Sequence, residues 1–132
     1  MAELNRFETG LKNLAKVDEI GGQAVIDSLA GLYEDVGKYI IEFAFGDIYE
    51  RGVLDLKQRE MITITSLLTQ GDTVPQLHFH INSSLNVGLT REEIIETFIQ
   101  ALPYVGFPRV LNAVNVAKEV FKKRDEEGKV GI

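Results

Sequence analysis

The chain has 132 residues, 45% of them apolar and 26% charged, with a formal net charge of −6. That length and composition suit one domain with a buried core and a solvated surface, and an acidic surface repels phosphate backbones, so nucleic acid is not an expected partner. There is no cysteine, which removes disulfides, thiolate metal sites, cysteine nucleophiles and dithiol redox chemistry together. No stretch has the length and apolarity of a membrane span or a signal-peptide core, and the expectation is a soluble cytoplasmic protein.

Apolar residues recur at helical spacing almost throughout the chain. Leu4, Phe7, Leu11 and Leu14 form one stripe, predicting a short first helix that "EIGGQ" breaks. A second helix is expected from Gln23 to about Tyr33, with Val25, Ile26 and Leu29 apolar. The third runs through "DVGKYIIEFAFGDIYERG", whose apolar residues point around much of the circumference and suggest a subunit interface. The fourth starts near Asp55 and ends at Gly71, a natural C-cap. Pro75 suits the first turn of the fifth, which reaches Gly88. Thr90 and Glu93 have the spacing of a capping box before "IIETFIQAL". That sixth helix is expected to stop around Pro103, leaving "YVGFP" as a turn. Pro108 then opens a last helix to about Lys123. Its apolar residues lie on two faces, Val110, Val114, Ala117 and Phe121 on one and Ala113, Val116 and Val120 on the other, which suggests partners on both sides. The tail "RDEEGKVGI" is expected to fray. The predicted fold is all-α, a single-domain bundle of six to seven helices over residues 1–132.

Both histidines of the chain, His78 and His80, lie on the fifth helix. Residues two apart on a helix point about 160° away from each other, so the two cannot share one metal there, and no metal is expected. Spacing of three and four places His80 beside Gln76, Ser83, Ser84 and Val87, a narrow face of small and polar residues. A hydrogen-bonded structural histidine and a proton carrier both fit that position. Glu60 is the second unusual residue. It projects from the face of the fourth helix that carries Ile64 and Leu67. A carboxylate there is costly unless paired, hydrogen-bonded or protonated, and a group so placed suits proton transfer. The plainer alternative is a pairing with Arg59 or Lys57, or with the helix dipole.

The segment from about residue 50 to 121 resembles the carboxymuconolactone decarboxylase family. The resemblance rests on "LDLKQREMITI", on His80 followed eight residues later by Gly88, and on "GLTREEIIE" and "YVGFPRVLNA" in that order. It implies an all-helical fold that assembles as trimers and hexamers. It also implies one of two branches. One decarboxylates a lactone without a cofactor. The other contains alkylhydroperoxidase-like peroxidases, in which a glutamate and a histidine serve a C-x-x-C pair. Those cysteines would fall at Thr73 and Gln76, so thiol peroxidase activity is not implied. The motif histidine falls on His80 and the glutamate on Glu60. Residues 1–49 carry little that matches.

The expected function is that of a carboxymuconolactone decarboxylase-like lyase, without cofactor, acting by proton transfer on a small carboxylated lactone or related acid. His80 would be the general acid or base, since an imidazole ordinarily titrates near neutrality, and Glu60 would orient it or exchange protons with it. Gln76 and Ser83 would bind a carboxylate or lactone oxygen. The alternatives are a cysteine-less relative of the peroxidase branch and a non-catalytic ligand-binding oligomer.

Overall fold

The computed structural model describes residues 3–31 and 33–128. The described residues form six α-helices and one π-helical segment, with no strand. They are α1 (Arg6–Ser28), α2 (Glu34–Tyr39), the π-helical segment (Ile40–Ile48), α3 (Leu56–Gln70), α4 (Val74–Asn86), α5 (Arg91–Val105) and α6 (Phe107–Glu126). Contacts divide the chain into two compact units that join between Leu56 and Lys57.

In the first unit, the break expected at "EIGGQ" lies earlier, at Asp18. Asp18 has an extended backbone (φ −168°, ψ 95°), and its Oδ1 accepts the Gly21 N–H at 2.8 Å. That is an N-cap, so a second helical stretch starts from Asp18 and runs through both glycines. A Cβ on Gly21 would collide with the Asp18 carboxylate, and one on Gly22 would lie 2.7 Å from Leu14 Cδ1. The glycines therefore permit a tight kink instead of ending the helix.

The apolar run expected as one ordinary helix begins as α2 and widens into a π-helix, where Tyr49 N–H bonds Ala44 O, five residues back, at 2.9 Å. Close backbone packing on α1 accompanies this register. A Cβ on Gly10 would collide with the Ile41 carbonyl, and one on Gly46 would lie 2.6 Å from Arg6 O. Asn13 is buried, and its Nδ2 donates to Phe45 O at 2.8 Å and to Glu50 Oε1 at 3.1 Å. Leu14, Val17, Ile41 and Phe45 fill the core of this unit. Tyr39, Phe43 and Ile48 remain exposed.

The second unit follows the predicted boundaries more closely. Gly71 ends α3 with φ +74°, Pro75 occupies the first turn of α4, and Gly88 follows α4 with φ +108°. The capping box of α5 is reciprocal. Thr90 Oγ1 accepts Glu93 N–H at 3.0 Å, and Glu93 Oε1 accepts Thr90 N–H at 2.9 Å. The helix does not stop at Pro103 but continues to Val105. A proline in the last turn forfeits one intrahelical bond, which a helix that is packed along its length tolerates. The expected five-residue turn shrinks to Gly106, at φ +98°.

Both apolar stripes of α6 are used within the unit. Val110, Ala113, Val116, Ala117 and Val120 are all buried, and α6 packs against α4 and α5. Its two-sided apolarity therefore does not require a second copy. The helix also runs past Lys123 to Glu126, because Arg124 is buried and donates Nη1 to Asn82 Oδ1 at 2.7 Å and Asn86 Oδ1 at 3.0 Å. The expected fraying does not begin at Arg124, and the end of the tail lies outside the described residues.

The Asn13 amide holds a carbonyl of the π-helical segment inside an apolar core. Asn13→Ala leaves that carbonyl unsatisfied and should lower the unfolding free energy by about 1–3 kcal/mol. Denaturant titration of the variant against the parent chain measures it, and an unchanged midpoint would refute the role.

Candidate active site

Helical periodicity on α3 puts Glu60 in line with Ile64 and Leu68, and all three are buried, Glu60 at 0% exposure. On α4 the buried residues are Leu77, Ile81, Ser83, Ser84 and Leu85. His80 stands beside them, its side chain 18% exposed. The two helices bring the pair together across 20 residues of sequence, with His80 Nδ1 at 2.8 Å from Glu60 Oε1. Phe79 presents its ring to the imidazole edge-on, with centroids 4.9 Å apart and planes at 72°.

Two serines fix the backbone beneath the imidazole. Ser84 Oγ donates to His80 O at 2.7 Å, and Ser83 Oγ donates to Phe79 O at 3.0 Å. Ser83 is fully buried with its hydroxyl committed to its own helix, which does not fit the expected contact with a ligand oxygen. Gln76 is exposed one turn before His80. His78 takes no part in the Glu60 contact, as the opposed directions of the two histidines required. The anchoring by Ser84 was not expected, although its place four residues after His80 is the spacing at which a serine hydroxyl reaches a helical carbonyl.

The geometry divides the labour between two ring nitrogens. Nδ1 faces a carboxylate that solvent does not reach. Nε2 is the ring nitrogen that the Glu60 contact leaves over, on a partly open imidazole. With Glu60 ionised, the bridge requires Nδ1–H, which leaves the Nε2 lone pair as the base of a neutral histidine. A second proton on Nε2 gives an imidazolium whose charge faces the carboxylate.

This arrangement coincides with a family assignment. The profile of the carboxymuconolactone decarboxylase family matches residues 34–119, more than half of the chain and inclusive of both helices of the pair. The chain belongs to this family. Among curated relatives, it is 30% identical over 125 residues to a 4-carboxymuconolactone decarboxylase of Acinetobacter baylyi, covering 92% of this chain and 91% of the relative. It is 30% identical over 131 residues to a nitrosuccinic acid decarboxylase of Metarhizium robertsii, covering 96% and 90%. A 15.0 kDa uncharacterised protein of Paracoccus denitrificans is 35% identical over 89 residues, covering 67% and 66%. The alignments to the first two of these relatives cover more than nine-tenths of this chain and so extend into residues 1–49, where the motifs leave the chain unmatched. No described helix is long and apolar enough to cross a membrane.

The tautomer is directly measurable. Long-range proton–nitrogen NMR on the imidazole of neutral His80 should show the proton on Nδ1, and Glu60→Gln should lower that preference. A neutral ring protonated on Nε2 in the parent chain would contradict the division of roles.

Proposed function

We propose that this member of the carboxymuconolactone decarboxylase family is a carboxy-lyase that needs no cofactor and uses His80 and Glu60 as its proton-transfer pair. The observation that carries this reading is the 2.8 Å contact between an occluded carboxylate and a partly open imidazole. Two relatives are named for decarboxylating 4-carboxymuconolactone and nitrosuccinic acid. Each named acid contains its own electron-withdrawing group, a lactone or a nitro group. When the bond to the carboxyl carbon breaks, CO₂ leaves and the electron pair stays on the substrate, delocalised toward that group. A proton must then be delivered to carbon. His80 supplies it from Nε2, Glu60 stabilises the imidazolium beforehand, and solvent restores the proton through the open edge of the ring. Gln76 is the exposed polar side chain placed to hold a substrate oxygen.

Release of CO₂ from the two named acids tests this reading on three variants. His80→Ala should lose about 10²-fold or more of the rate, the usual weight of a positioned general acid. Glu60→Gln should lose less, because the ring and its Nε2 remain. His78→Ala should stay near the parent rate. Thermal melting of the same variants separates chemistry from folding. Loss of melting temperature in His80→Ala with no loss of rate would make the pair structural and overturn the proposal.

The family member is also inferred to be a homo-oligomer of three or six copies. In support, its first unit leaves the large apolar side chains of Ile20, Tyr39, Phe43 and Val53 well exposed, and a neighbouring copy would cover such side chains. Light scattering at micromolar concentration should give a mass several times 14.7 kDa, and a monomer mass would refute it.

A further inference from the structure

We propose that the groove between α3 and α5 is a second binding site, for a small cationic amphiphile with an apolar body ending in one amine or guanidine group. The groove has a volume of about 770 Å³ and lies wholly within the second unit. That volume falls in the range of small-ligand sites. Its floor is more apolar than its residue names suggest. Met61, Ile62 and Ala101 supply carbon directly. The hydroxyls that line it are turned to their own helices. Thr65 donates to Met61 O at 2.8 Å, Ser66 to Ile62 O at 2.9 Å, Thr69 to Thr65 O at 2.7 Å and Thr97 to Glu93 O at 2.8 Å. These residues present mainly methyl and methylene surface to an occupant.

Charge selects the class of ligand. Among the described residues, Glu93 and Glu96 are the only charged ones lining the groove, with no lysine, arginine or histidine beside them. Both stand toward the start of α5, so the negative charge lies at one end. The groove then runs to Tyr104 and Val105, about 18 Å along the helix at its ordinary rise. The hydrogen bond from Thr90 N–H holds the Glu93 carboxyl below its usual range, with Lys57 as a lesser influence. Glu96 is exposed and forms no ion pair among the described residues. A cation at this end gains two carboxylates, and an anion is repelled by them.

The groove is separate from the His80 site. At about 100° per residue, Thr65 points roughly 140° and Thr69 roughly 180° from Glu60 around α3. The acids of the proposed decarboxylation are of the wrong charge for it. The inference therefore goes beyond the proposed reaction and does not depend on it.

A matched pair of probes tests the proposal on the full chain: 4-phenylbutylamine and 4-phenylbutyrate share a body and differ in charge. In NMR titrations the amine should move resonances of α3 and α5 and bind at least about tenfold more tightly than the acid, a gap of about 1.4 kcal/mol. Glu96→Gln should narrow that gap. Ser66→Trp, on an exposed position, should fill the groove and abolish binding. His80→Ala should leave amine binding intact, which keeps this test distinct from that of the lyase reading. Equal affinity for the acid would overturn the proposal, as would shifts confined to other helices. Failure of the parent chain to bind either probe, with Ser66→Trp breaking up an oligomer, would instead assign the groove to a second copy and overturn it as well.

Discussion

A carboxylate that solvent cannot reach must be partnered, and Glu60 of α3 meets His80 of α4 at 2.8 Å. Removing a carboxylate from water costs several kcal/mol even after the surroundings relax, and a buried pair recovers that cost only with good geometry. A hydrophobic pair of similar volume often stabilises a fold as well or better. The Glu60–His80 contact is thus a poor device for stability alone. It makes more sense as a device for placing one imidazole in one orientation, with its second nitrogen turned away from the carboxylate.

The rest of the second unit holds that orientation. Ile64 and Leu68 repeat the Glu60 position along α3 and anchor it in the same core as Leu77 and Ile81 of α4. One turn of α4 carries two side-chain bonds to backbone carbonyls, from Ser83 and Ser84, directly at Phe79 and His80. Beyond them, Arg124 ties the C-terminal half of α4 to α6 through Asn82 and Asn86. The guanidinium also lies near the negative end of the α4 dipole, where a cation is favoured. A histidine set on so constrained a helix can present its outer nitrogen at a defined place without any loop having to close.

Local chemistry made much of this fold legible. The capping box at Thr90, the glycine after α3 and the proline opening α4 each act within one turn, so sequence alone placed them. The misplaced boundaries belong to features that need tertiary partners. Asp18 caps a helix because of how the chain kinks over Leu14, and Pro103 is tolerated inside α5. The π register of Ile40–Ile48 goes with a close approach of α1 at Gly10 and Gly46 and with the Asn13 amide. Likewise Glu60 and His80 stood out as polar groups on apolar or narrow faces, and they meet. Ser83 shares that face by spacing, yet periodicity cannot tell an open position from a buried one. The α3–α5 groove was invisible for the same reason, since it is a property of the space between helices and of hydroxyls turned away from it.

The first turn of α4 is where the two branches implied by the family resemblance part company in this chain. A thiol peroxidase must supply two electrons, and its proton-handling residues only serve the sulfurs that do so. Here Thr73 and Gln76 occupy those places. The Thr73 hydroxyl donates to Leu67 O at 2.6 Å, and the Gln76 side chain is exposed. Neither can form a thiolate or be oxidised to a disulfide. What persists one turn further along is the glutamate–histidine pair, whose groups can exchange protons but not electrons. A site reduced to that pair suits reactions whose electrons come and go with the substrate itself, and loss of CO₂ from an activated acid is such a reaction. The geometry at His80 and the chemistry absent at Thr73 and Gln76 therefore favour the same branch for independent reasons.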